Sequence, residues 1–63
     1  MIGYQIRLMH DDGSLALIYV ATCLNDDHAR RMADEMLTSD IGKVEVWRDF
    51  ECVHRGRSRY ALQ

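Results

Sequence analysis

Cys52 and His54 stand two residues apart in a strand-like stretch, where regular alternation would point thiolate and imidazole to one side as a pair of zinc ligands. A closed site needs two further donors. Cys23 and His28, on either side of the expected helix start, are the other candidates, but their spacing matches no finger pattern. The expectation is therefore a packed reduced cysteine, a surface histidine, no metal and no cofactor. Nucleophilic catalysis needs a hydroxyl or thiol beside a base held in a pocket. Ser14, Ser39 and Ser58 fall in expected turns or in the C-terminal segment, and none lies in a nucleophile-elbow pattern. The residues imply a non-enzymatic protein with no catalytic site.

The sharpest surface feature is His54-Arg55-Gly56-Arg57-Ser58-Arg59-Tyr60. On an extended chain Arg55, Arg57 and Arg59 align on one side, where they can contact phosphates while Tyr60 stacks on a base. Arg7, on the first strand, joins that patch only if the outer face of the sheet is exposed. The overall charge of -2 and pI near 5.8 argue against a dedicated nucleic-acid or anionic-membrane binder. The charge is uneven: residues 1–47 carry a net -4 and residues 48–63 a net +2.

These residues must be positioned by very little structure. A chain of 63 residues and 7.3 kDa allows one domain, here residues 1–55 with 56–63 as a basic C-terminal tail. Hydrophobic residues make up 48% and proline is absent, a composition that folds. A core this small leaves a net stability of only about 3–5 kcal/mol, so self-association is a cheap source of support. No apolar run reaches the roughly 18 residues of a membrane span, and Met1 leads straight into strand-like sequence, so a cytoplasmic location and no membrane partner are expected.

Tyr4, Ile6, Leu8 and His10 alternate with Gln5, Arg7 and Met9, the pattern of a half-buried strand. Asp11-Asp12-Gly13-Ser14 provides a hairpin turn, either two residues at Asp12-Gly13 or a three-residue loop with a bulge. The two loops place opposite sets of side chains in the core, and the first strand favours Tyr4, Ile6 and Leu8 against the helix. Leu15 to Leu24, the second strand, is apolar on both faces. Asn25 caps a helix whose dipole Asp26 and Asp27 favour, and Ala29, Met32, Ala33, Met36 and Leu37 form its apolar stripe. Arg30 and Arg31 follow the two aspartates at i+4. The helix should stop near Thr38 or Ser39. Lys43 to Arg48 and Glu51 to Arg55 complete an α+β domain of order ββαββ, a small mainly antiparallel sheet in strand order 2-1-3-4 with one helix on one face.

Tyr4-Gln5-Ile6-Arg7-Leu8, Asp12-Gly13, Asn25-Asp26-Asp27 with Ala29 and Ala33, and Val44-Glu45-Val46-Trp47 together resemble a family of short uncharacterised bacterial ββαββ proteins, common in proteobacteria, over about residues 3–55. The resemblance implies the fold and a bacterial cytoplasmic origin, without a transferable activity. Residues 4–37 are also similar to HicB-type antitoxins in their Tyr-containing strand, acidic-Gly turn, second strand and Ala-rich helix, though the Pro-Gly-Cys segment usual there is missing. That similarity implies a toxin-antitoxin-associated module.

One helix covers only one face of a sheet, and a doubly apolar second strand leaves the other in need of cover. Met9, Ile18, Val20 and Trp47 are the expected interface of a homodimer, the form expected for a small interaction or binding module. Tyr4, Ile6, Leu8, Met32, Ala33, Met36, Leu37, Val44 and Val46 are the expected core. The partners implied are a second copy and another protein; the competing class is a nucleic-acid-binding or antitoxin-like module using Arg55, Arg57, Arg59 and Tyr60.

Overall fold

A computed structural model describes residues 1–58: strands β1 (Ile2–Met9) and β2 (Leu15–Cys23), helix α1 (Asp26–Asp34), and strands β3 (Lys43–Arg48) and β4 (Glu51–Arg57). The four strands form one sheet in the order β2-β1-β3-β4, with every neighbouring pair antiparallel. The ββαββ order and sheet order are those expected from the residues. β1 and β3 are central; β2 and β4 are the edges.

The β1–β2 hairpin takes the longer of the two loops. His10 N–H donates to the Ser14 carbonyl and Gly13 N–H to the His10 carbonyl, both at 2.9 Å, enclosing Asp11-Asp12-Gly13. Gly13 sits at φ 88°, a left-handed conformation that glycine adopts without a Cβ clash. Asp12 Oδ1 accepts from both the backbone N–H and the hydroxyl of Ser14, and those two bonds hold its carboxyl below the usual aspartate range. Beyond the loop, Leu8 pairs with Leu17 but Met9 with Leu15, so Ala16 is the extra residue of a bulge. With that register Tyr4, Ile6 and Leu8 face the helix, as β1 alone favoured.

The core joins Tyr4, Ile6, Leu8, Cys23, Val44 and Val46 of the sheet to Ala29 and Ala33 of α1, all buried. Two alanines on the helix let its backbone come close to the sheet. Met32, Met36 and Leu37, expected in the core, pack at its margin and are only partly buried. Asn25 caps α1, its Oδ1 accepting from His28 N–H at 2.8 Å.

The helix ends at Asp34, short of the expected stop near Thr38 or Ser39. Met36 N–H and Leu37 N–H turn to the i−3 carbonyls of Ala33 and Asp34, tightening the chain out of α geometry. Thr38 then closes its own turn: its N–H donates to the Ile41 carbonyl and its Oγ1 accepts from Asp40 and Ile41 N–H. Of the two expected i+4 pairs of helix charges, Asp27 with Arg31 forms and Asp26 with Arg30 does not. Asp27 takes both Arg30 and Arg31, at 2.7 and 2.9 Å. Asp26 instead turns to the sheet, where Oδ1 accepts from the Tyr4 hydroxyl at 2.6 Å and from Arg48 Nη1 at 2.8 Å.

β3 and β4 are joined by the two-residue turn Asp49-Phe50, with Asp49 at φ 55°. Val46 pairs with His54 but Trp47 with Cys52, which makes Val53 a second bulge. β4 continues two residues beyond Arg55, so Gly56 and Arg57, placed by the sequence in a tail, are part of the sheet opposite Val44 and Lys43. Ser58 follows with its N–H donated to the Gly42 carbonyl at 2.9 Å. A Cβ at Gly56 would stand 2.6 Å from Asp34 Oδ1, so any larger residue there would displace the carboxylate that His54 holds.

Candidate functional site

Length decides what α1 can cover. Nine residues of helix reach about 14 Å, whereas nine of strand reach about 30 Å. The helix therefore shields β2 only near Cys23, which is buried. Upstream, Leu15, Leu17, Ile18, Tyr19 and Val20 are exposed by 54%, 53%, 43%, 44% and 74%. They project to both faces of an edge strand that has no charged residue and no proline between Leu15 and Cys23.

The face away from the helix is open, and the register arranges it in rows across the strands. Val20, Gln5 and Trp47 form one row; Ile18, Arg7, Glu45 and Arg55 the next; Leu15, Met9, Lys43 and Arg57 the third. The β2 side of this face is apolar and the β4 side basic. In the middle the Arg7 guanidinium lies over the Trp47 ring, 4.9 Å from its centroid, and Arg7 Nε donates to Gln5 Oε1 at 2.9 Å. Glu45 accepts from Trp47 Nε1–H at 3.0 Å and from Arg55 Nε at 3.2 Å. The Trp47 bond foremost, then Arg55 and Arg7, holds the Glu45 carboxyl below the ordinary glutamate range.

Several expected site residues do not come together. The Val53 bulge breaks the alternation that would have aligned Cys52 with His54. Cys52 Sγ donates to the His54 carbonyl, while His54 Nε2 donates to Asp34 Oδ1 at 2.9 Å, tying β4 to α1. Cys23 lies in the core and His28 Nδ1 accepts from Leu24 N–H. Among the described residues there is no group of three or more His, Cys, Asp or Glu able to hold a metal ion. Nor is any helix among them long and apolar enough to cross a membrane.

Met9, Ile18, Val20 and Trp47 all reach the open face, but Gln5 and Arg7 of β1 separate the pair on β2 from Trp47. Leu15, Leu17 and Tyr19 were not foreseen as surface. The signal for them was the doubly apolar pattern of β2 together with its edge position in the expected strand order. Arg55 and Arg57 lie on β4; Arg59 and Tyr60 lie outside the described residues.

No protein-family model matches the chain, and no curated protein or solved structure shows significant similarity to it.

Proposed function

We propose that this protein is a non-enzymatic interaction module that works as a homodimer, with β2 as the element that finds the second copy. The observation that supports this reading is the exposure of five apolar side chains on both sides of an uncharged edge strand. Such an edge presents a row of unpaired backbone N–H and C=O groups, and edges are usually protected by charge, proline or a covering element. Here the one irregularity is the bulge at Ala16, near its start. A second β2 running antiparallel about a twofold axis satisfies the edge, and the pairing is self-complementary with no like charges opposed. Leu17 and Tyr19 then gain neighbours on one face, and Ile18 and Val20 on the other.

The test is sedimentation velocity on the wild-type chain beside Ile18→Asp and Val20→Asp. The expected result is a dimer for the wild type and a folded monomer for both variants. Dimers that persist in both variants would overturn the assignment to β2.

A further inference from the structure

The basic half of the open face differs from every other charged region of the molecule. Arg30, Arg31 and Arg48, which lie elsewhere, are each held by a carboxylate within 3.5 Å. On the open face Arg55 is paired with Glu45, but Arg7, Lys43 and Arg57 make no ion pair among the described residues. Lys43 and Arg57 are direct cross-strand partners. Like charges opposed on neighbouring strands destabilise a sheet, so this pair is a local cost that folding alone does not require. Four cations share the face with two carboxylates, Glu45 in the strand rows and Asp49 at the rim, while the remainder of the sequence carries four cations and eight carboxylates. The overall charge of -2 thus conceals a face of net +2.

Shape complements charge. Met9, Lys43, Arg55 and Arg57 line a surface cleft of about 370 Å³, together with Glu45, whose charge Arg55 meets. On the same face, Gly3, Gln5, Arg7, Trp47, Asp49 and Phe50 border a second depression of about 420 Å³. Gly3 has nothing within 4 Å of where a Cβ would stand, and Phe50 is 99% exposed. A cationic cleft beside an aromatic depression, with the Arg7–Trp47 pair nearby, offers separate places for a phosphate and for a planar base.

We propose that the open face binds single-stranded nucleic acid, with Lys43, Arg57 and Arg7 contacting the backbone phosphates and the Trp47–Phe50 depression taking a base. An acidic peptide satisfies the charge but leaves the aromatic depression unused, and a duplex hides the base faces that stacking needs. The assignment does not depend on dimer formation, because Lys43 on β3 and Arg57 on the β4 edge lie on the side of the sheet away from β2.

The experiment is fluorescence anisotropy of a labelled oligothymidylate of about 12 nucleotides, with Trp47 emission followed in parallel. The wild type should bind at low salt, quench Trp47, and lose affinity with a log–log salt slope of about −2, as expected for three phosphate contacts on a single strand. Lys43→Gln with Arg57→Gln should weaken binding at least tenfold, whereas Arg30→Gln with Arg31→Gln, on the helix, should leave it unchanged. Phe50→Ser, at a fully exposed position, should weaken binding without altering the salt slope. Circular dichroism establishes that each variant is folded; should the Lys43 and Arg57 double variant unfold, Phe50→Ser and the wild-type Trp47 quenching decide. Absence of low-salt binding, equal loss in the two double variants, or equal competition by polyglutamate or a duplex would overturn the proposal. Light scattering on the same samples separates this outcome from any change in oligomeric state.

Discussion

β1 and β2 are two arms of one hairpin, close in length, and they have opposite fates. β1 carries Arg7 and Gln5 yet supplies three of the buried core residues; β2 has no charged residue, yet most of its length is exposed. What separates them is their neighbours. β1 has a strand on each side and the helix above it, whereas β2 has a strand on one side only and meets α1 only at its end. In a domain this small, position in the sheet governs burial more than the hydrophobicity of the strand itself.

The contrast is tested most severely by truncating each strand in turn. Ile6→Ala should cost about 2–5 kcal/mol, comparable with the whole stability of about 3–5 kcal/mol expected for such a core, and so leave the chain largely unfolded by circular dichroism. Val20→Ala measured on the monomer should cost less than about 0.5 kcal/mol in urea unfolding. Similar losses in the two variants would break the comparison.

Weaker effects come from the polar ties around β1. Burial of the ring, followed by the bond to Asp26, raises the Tyr4 hydroxyl above the ordinary tyrosine value. A raised value in the folded state means that this contribution is complete below about pH 10 and is lost as pH rises through the folded value. Tyr4→Phe should lower the melting midpoint by a few degrees at neutral pH and flatten the alkaline limb of the stability profile. Glu45 behaves in the opposite sense: its lowered value makes its contribution present above about pH 4 and lost as pH falls further. Glu45→Gln should flatten the acid limb in thermal melts across about pH 2 to 6, a range that brackets the ordinary glutamate value of about 4.3. The smallest change belongs to Phe50→Ser, which should leave the urea midpoint unmoved because none of the described residues covers that side chain.

Much of this architecture is legible in local pattern. The alternation of Tyr4, Ile6 and Leu8 names the buried face of β1, Asn25-Asp26-Asp27 marks the helix start, and the strand order follows from a short chain with one crossover. Features that the two hydrophobic periodicities do not encode were not legible. The helix ends early because Met36 and Leu37 turn to i−3 carbonyls, although the apolar spacing continues to Leu37. Asp26 leaves its helical partner because Tyr4 and Arg48 meet it from the sheet. The Cys52 and His54 pair dissolves because Val53 is a bulge, which a two-residue periodicity does not reveal. The basic face shows the same limit, since Lys43 and Arg57 are fourteen residues apart in sequence and become neighbours only through the β3–β4 register.

The central claim is that the uncovered length of β2 is covered by a second copy of the chain. Light scattering coupled to size exclusion, run on the wild-type protein over a concentration series, measures this directly. A mass of twice the 7.3 kDa chain that gives way to the single-chain mass only on dilution is the predicted result. A mass of 7.3 kDa at every concentration would contradict it.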